Sequence, residues 1–251
     1  MDIIRGLMFF SHRNLHVSRA AFLLFCTVFN LFPSRGISKI RPLSQDLLDA
    51  GELVTKSEAV LRGFLEDPNM KWFQENISTA HGVFIAPEML RGDFLIGNSD
   101  GPGVLLVRDP ATGKWSYPGF YSIDSVSMGF QIGADASEII LLIMTEQGMR
   151  ALLSPEFKID AKVVVASGPV GDGPPHYSAD ILAYARSMMG IIGGVALAGS
   201  VITPRTSLNH AYYGQPVSLV DIFLRQTVSN SKAESLRKRV ATASEEPDKS
   251  L

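Results

Sequence analysis

Only one cysteine, Cys26, occurs in 251 residues, and it lies close to the N-terminus. The remainder of the chain can therefore hold no disulfide, no thiolate nucleophile and no cysteine metal ligand. Histidine is nearly as scarce, with only His81, His176 and His210 beyond residue 36. None stands at helical ligand spacing from another ligand type, so no metal site is expected. The charges almost cancel, 23 Lys and Arg against 25 Asp and Glu for a formal net charge of -2. That leaves no basic footprint for nucleic acid. A G-x-S-x-G nucleophile elbow is missing too, since Ser200 sits in Leu197-Ala198-Gly199-Ser200-Val201. With no acid–base pair on display, neither an enzyme nor a cofactor is expected.

Long apolar runs are also short of what a membrane span requires. Ser187 to Ile202 is uncharged and carries Gly190, Gly193, Gly194 and Gly199. It falls below the ~20 residues of a spanning helix, and each glycine weakens a helix by up to ~1 kcal/mol. A strand covered on both faces is the expected form. Near the N-terminus, Arg5, His12, Arg13 and Arg19 precede an apolar run from Ala20 to Phe32, followed by small residues at Ser34 and Gly36. This pattern reads as an export signal over residues 1–36, with an uncleaved anchor as the alternative. It predicts an exported protein, periplasmic or associated with the cell envelope.

What is present divides into helical flanks and a glycine-rich middle. Pro42 to Leu65 places Leu43, Leu47, Leu48, Val54, Leu61, Phe64 and Leu65 at helical spacing among charged residues, predicting an amphipathic helix interrupted near Gly51. Asp67-Pro68 ends it, and Asn69 is expected to cap a short helix with Met70, Trp72, Phe73 and Ile77. Strands are expected over 82–86, 93–97, 103–108, 120–124, 127–133, 138–145 and 159–166, with a turn at Asp109-Pro110-Ala111-Thr112-Gly113. Helices are expected over 146–153, over 204–213 with Pro204 in the first turn, and over 216–227. The polar stretch 229–251 is expected to be a disordered tail. The fold class is α+β, a strongly curved antiparallel sheet or barrel-like core with flanking helices and an N-terminal amphipathic helix.

Several short strings stand in a fixed order. Gly129-Phe130-Gln131-Ile132-Gly133-Ala134 is followed by Gly168-Pro169-Val170-Gly171, then Tyr184-Ala185-Arg186-Ser187, then Gly190 through Gly199-Ser200, then Tyr212-Tyr213-Gly214. The set resembles the SYLF family of lipid-binding domains, from about Leu47 to about Leu224. The resemblance implies a non-enzymatic domain over residues 37–228 that binds phospholipids, phosphoinositides or other anionic head groups at a membrane surface. It also implies that some relatives act on actin through added modules. With an export signal and no such module expected here, actin is an unlikely partner.

The residues themselves offer one surface for lipid. Lys39, Arg41, Lys56 and Arg62 lie among Ile37, Ile40, Leu43, Val60 and Phe64, so basic heads flank an apolar stripe. Such a helix can lie in a membrane interface, with each Lys or Arg worth ~1 kcal/mol near an anionic surface. Alternatively the stripe packs on the sheet and the charges are merely solvated. The competing function is an envelope scaffold that binds a protein partner without lipid. Gly168 to Gly173 reads as a turn rather than an anion nest, because Pro169 lacks a donor and Asp172 repels anions.

Overall fold

The computed structural model describes residues 42–91, 99–125, 137–159, 165–167, 179–187, 190–191 and 200–245. Helix α1 spans Leu43–Glu66 without interruption. Gly51 lies within it with nothing near its missing side chain. The expected break is absent because helix stability here comes from burying one face, which outweighs a single unfavourable residue. Asp67 ends the helix, and its carboxylate accepts the Asn69 N–H to cap a 3-10 turn, Pro68–Met70. The cap is thus Asp67 rather than Asn69. Helix α2 (Lys71–Asn76) and a second 3-10 turn (Ile77–Thr79) complete this flank.

Nine strands follow among the described residues: β1 (Gly82–Arg91), β2 (Ser99–Val107), β3 (Gly119–Ser125), β4 (Ser137–Ile143), β5 (Phe157–Lys158), β6 (Val165–Ser167), β7 (Ile181–Ser187), β8 (Gly190–Ile191) and β9 (Val201–Pro204). They form one curled sheet in the order β5-β9-β3-β2-β1-β4-β7-β6, with β8 on β7. All pairs are antiparallel except β6 with β7. Register shifts in β1 between Ile85 and Leu90 add local twist. The curved antiparallel sheet with flanking helices agrees with the sequence expectation. Expected strands 93–97 and 127–133 lie outside the described residues, as does the Gly168–Gly173 turn.

Strand alternation divides the core in two. Val83, Ile85, Val104, Leu106, Phe120, Ile140, Leu142 and Tyr184 face one side with α1 and α2. Phe84, Leu105, Tyr121, Ile123, Ile139, Leu141, Ile143 and Ile181 face the other. Because both faces are covered, β4 reads as an unbroken apolar run. The turn at Asp109 forms as expected: its carboxylate accepts the N–H groups of Ala111 and Thr112, and Gly113 takes φ +70°.

Four expectations are corrected. Ser187 to Ile202 is not one strand: Ser187 ends β7 and pairs with Gly190 across a chain reversal, while Val201 starts β9 on the opposite flank. Pro204 belongs to β9 rather than to a helix; helix α4 is Thr206–Tyr213. A proline at a strand end costs no ladder hydrogen bond. Residues 216–227 form only a π-helical turn, Val220–Leu224. Finally, residues 231–243 are ordered as a 3-10 turn and helix α5 (Glu234–Ala243). Their polarity hid a narrow apolar stripe, Ala233, Leu236 and Val240, which is fully buried. Helix α3 (Glu146–Leu152) forms where expected, capped by the Thr145 hydroxyl.

Candidate functional site

One line of side chains runs the length of α1: Leu43, Leu47, Ala50, Val54, Ser57 and Leu61, at spacings of three and four. Ala50, Val54, Ser57 and Leu61 are buried. Leu43 and Leu47, at the N-terminal end, overhang the core and are 70% and 38% exposed. Leu48, on the outer side of the same turn, is 68% exposed. Three leucines in six residues thus meet solvent at the point where the helix begins. No side chain caps that end.

Of the four basic residues expected to flank the stripe, only Lys56 and Arg62 are described, and they are not gathered there. Lys39 and Arg41 lie outside the described residues. Lys56 is exposed but committed, 3.0 Å from Glu52 and 3.3 Å from Glu88 of β1. Those hydrogen bonds, Glu52 first, raise its pKa above the usual lysine value. Arg62 is exposed and makes no ion pair among the described residues. Six positions apart, Lys56 and Arg62 point about 120° away from each other around the helix. Val60 and Phe64 are in the core, so this half of the stripe packs on the sheet. Sequence reasoning missed that the apolar face is exposed only in its first turns. Periodicity shows that a face exists but not where its cover stops.

The ordered strings that are described turn out to hold the fold together. Tyr184 packs its ring against Phe73 at 5.3 Å and Trp72 at 5.5 Å. Two residues on, Arg186 bonds Glu138 at 2.7 Å and lies over the Phe64 ring at 5.1 Å. Gly63 leaves room beneath it, since a Cβ there would stand 2.3 Å from the guanidinium and displace it. Ser187 and Gly190 pair at the β7–β8 reversal. Tyr212 stacks edge-on with Phe120 at 4.9 Å, and the Tyr213 hydroxyl donates to the Pro118 carbonyl at 2.7 Å. Gly214 ends α4 at φ +66°, the left-handed position that favours glycine. Gly129, Phe130, Gly133, Gly168, Pro169, Gly171 and Gly199 lie outside the described residues.

Burial pushes the phenols of Tyr121, Tyr184, Tyr212 and Tyr213 well above the ordinary tyrosine value. A raised phenol pKa keeps its full contribution to stability below the unfolded value, about pH 10, and loses it as pH rises further. The protein is therefore expected to hold its fold to about pH 10 and unfold cooperatively above it. Tyrosinate absorbance and circular dichroism should change together in an alkaline titration. Tyrosinate appearing well before the loss of structure would contradict the burial.

His210 lies on α4 beside Tyr212 and Tyr213, as expected. Ser200 is fully buried just before β9. Among the described residues no group of His, Asp and Glu could hold a metal, and no helix is long and apolar enough to cross a membrane.

A family profile described as Ysc84, a Las17-binding protein actin regulator, matches residues 124–243. Its last residue coincides with the end of α5. The chain is similar to SH3 domain-containing YSC84-like protein 1 of Homo sapiens, 28% identical over 166 residues, covering 64% of this chain and 48% of that protein. The Xenopus laevis protein of the same name is 30% identical over 145 residues, covering 55% and 42%. An SH3 domain-containing protein of Schizosaccharomyces pombe is 22% identical over 194 residues, covering 72% and 44%. The chain thus spans about half the length of the curated relatives it matches.

Proposed function

We propose that the chain, which matches the Ysc84 (SYLF) family profile over residues 124–243, is a non-enzymatic domain that binds an anionic phospholipid surface through the first turns of α1. The observation that carries this reading is the exposure of Leu43, Leu47 and Leu48 on a helix whose remaining stripe is buried. Fully burying a leucine is worth about 1.5–3 kcal/mol, so three at one helix end supply a substantial anchor even if each enters only in part. Lys39 and Arg41 precede the leucines directly in sequence and would add attraction to anionic head groups. Lys56 is spent on Glu52 and Glu88 and contributes little. The Ala20–Phe32 run supports the accompanying proposal that the protein is exported and works at the cell envelope.

The test is co-sedimentation of the full chain with phosphatidylglycerol vesicles. A variant with Leu43, Leu47 and Leu48 all changed to Asp should lose binding by tenfold or more, on the order of the leucine transfer energy. Lys39→Glu with Arg41→Glu should weaken binding and flatten its salt dependence. The Lys56→Glu, Arg62→Glu pair should bind nearly as the original. Undiminished binding by the triple-Asp variant would overturn the assignment.

A second reading is favoured by the family description, which names a Las17-binding actin regulator. On that reading the leucines meet a protein. A stoichiometric protein complex that forms without lipid, and is lost in the triple-Asp variant, would select it. The earlier expectation against actin then gives way.

A further inference from the structure

Residues 217–228 cross the second face of the sheet as a strap. Every hydrogen bond they make among the described residues closes inside the strap: the Asp221 and Ile222 N–H groups to the Ser218 carbonyl, Arg225 to Val220, Thr227 to Asp221, and the Ser218–Asp221–Arg225 side-chain set. Only apolar side chains hold it down, chiefly Ile222, Phe223 and Val228. Its centre is the π-helical turn, a rare form that is frequent at functional sites. Its exit is Gln226 at φ +50°, a strained position for a residue with a side chain. The amide nitrogen of Gln226 is buried with no partner.

Phe223 fills a notch. It lies against Gly119 so closely that a Cβ there would stand 2.4 Å from its Cζ, and its ring stacks on Tyr121 at 6.3 Å. The Tyr121 hydroxyl is fully buried and has no hydrogen-bond partner. The only buried charged side chain among the described residues, Asp46, is on α1. Beside the notch, Val217, Ser218 and Leu219 line a cleft of about 420 Å³ against Leu153, Pro155 and Pro204. Val220 and Leu224 on the strap itself are 42% and 60% exposed.

We propose that the strap is a lid and Phe223 its plug, closing a ligand site in the second core whose single polar contact is the Tyr121 hydroxyl. The lid can lift because it breaks no hydrogen bond to the sheet and releases the strain at Gln226. What enters must replace an aromatic ring and accept one hydrogen bond. That describes an uncharged, mainly aliphatic molecule with one carbonyl or ester oxygen. An unsatisfied buried hydroxyl is costly, and such an acceptor would satisfy it. A charged carboxylate would be desolvated there without a cation. The site lies on the opposite face of the sheet from α1 and does not rest on the surface reading.

The test uses the methyl-labelled full chain and methyl decanoate, followed by NMR. Saturable shifts are expected at Ile123, Ile202 and Leu105, and none at Leu53 or Val60. Tyr121→Phe should weaken binding about tenfold, the worth of one hydrogen bond with its buried partner. Phe223→Ala should tighten it. Decanoate, which carries a charge, should not compete. Hydrogen exchange gives a second measurement that does not need the variants of the notch. Strap amides should exchange at least about tenfold faster than those of β1, and Gln226→Gly should slow them. Shifts confined to the α1 face, equal binding by Tyr121→Phe, or strap amides protected as well as β1 would each overturn the proposal.

Discussion

A chain cut after Val228 is expected to lose its fold, although the segment removed is polar and was expected from sequence to be disordered. The cut deletes α5 and with it Leu236 and Val240, both at 0% exposure. Burial of each is worth about 1.5–3 kcal/mol. The cut also strands what α5 covers. Trp115 loses the Ser244 hydroxyl that accepts its indole N–H at 2.8 Å. Tyr117 loses Glu234 and the Arg237 guanidinium that lies 4.9 Å from its ring. Glu58 on α1 loses Arg239. The sum, about 5 kcal/mol, rivals the whole stability of an ordinary domain. Thermal melts of the two chains, with Trp115 emission as a probe of exposure, will decide the matter. An unchanged melting temperature after truncation would show that α5 carries no stability. The point variant Leu236→Ala should cost about 3 kcal/mol and retain the fold.

Phe64→Ala should be the most damaging single truncation on α1, at about 4 kcal/mol. Phe64 is fully buried where α1, α2 and β7 meet. Its ring packs edge-on to Phe73 at 5.5 Å and lies beneath Arg186 at 5.1 Å. Removing it leaves a cavity between two helices and the sheet. It also removes the apolar support of a half-buried ion pair, Arg186 with Glu138. An arginine held there without its neighbours pays desolvation with less return. Phe64→Leu keeps most of the volume and should cost less than half as much. Urea titration measures both, and a Phe64→Ala midpoint close to that of the original would refute the packing argument. Vesicle binding should survive in Phe64→Leu, because the exposed leucines stand more than three turns away along the helix.

Several elements were legible from local chemistry. The spacing of Val54, Leu61 and Phe64 announced α1, and Asp67-Pro68 announced its end. The apolar run Ile139–Ile143 read as a strand, and both of its faces are covered. The Asp109–Gly113 turn carried its own hydrogen-bond acceptor and its own left-handed glycine. Other features were not legible because they depend on partners far away in the chain. Ser231–Ala243 is polar on most of its surface, and only contact with α1 and Trp115 makes its few apolar residues a reason to fold. The strap at 217–228 has helical composition, yet it is held by Ile222 and Phe223 against the sheet and makes only a π turn. Along α1, sequence marked the apolar stripe but not where its cover stops. The charges at Lys56 and Arg62 and the leucines at 43, 47 and 48 look alike as pattern, but only the sheet decides which are covered.

By itself, then, the sequence determined the class of fold and the elements with strong local periodicity. It also carried the ordered strings that mark the family. The tertiary structure alone decided which apolar residues remain uncovered, which charges are already paired, and which polar segment is ordered. The reason is physical. Periodicity and turn chemistry act over a few residues, whereas burial and ion pairing are set by residues separated by tens or hundreds of positions, such as Glu58 with Arg239 and Trp115 with Ser244.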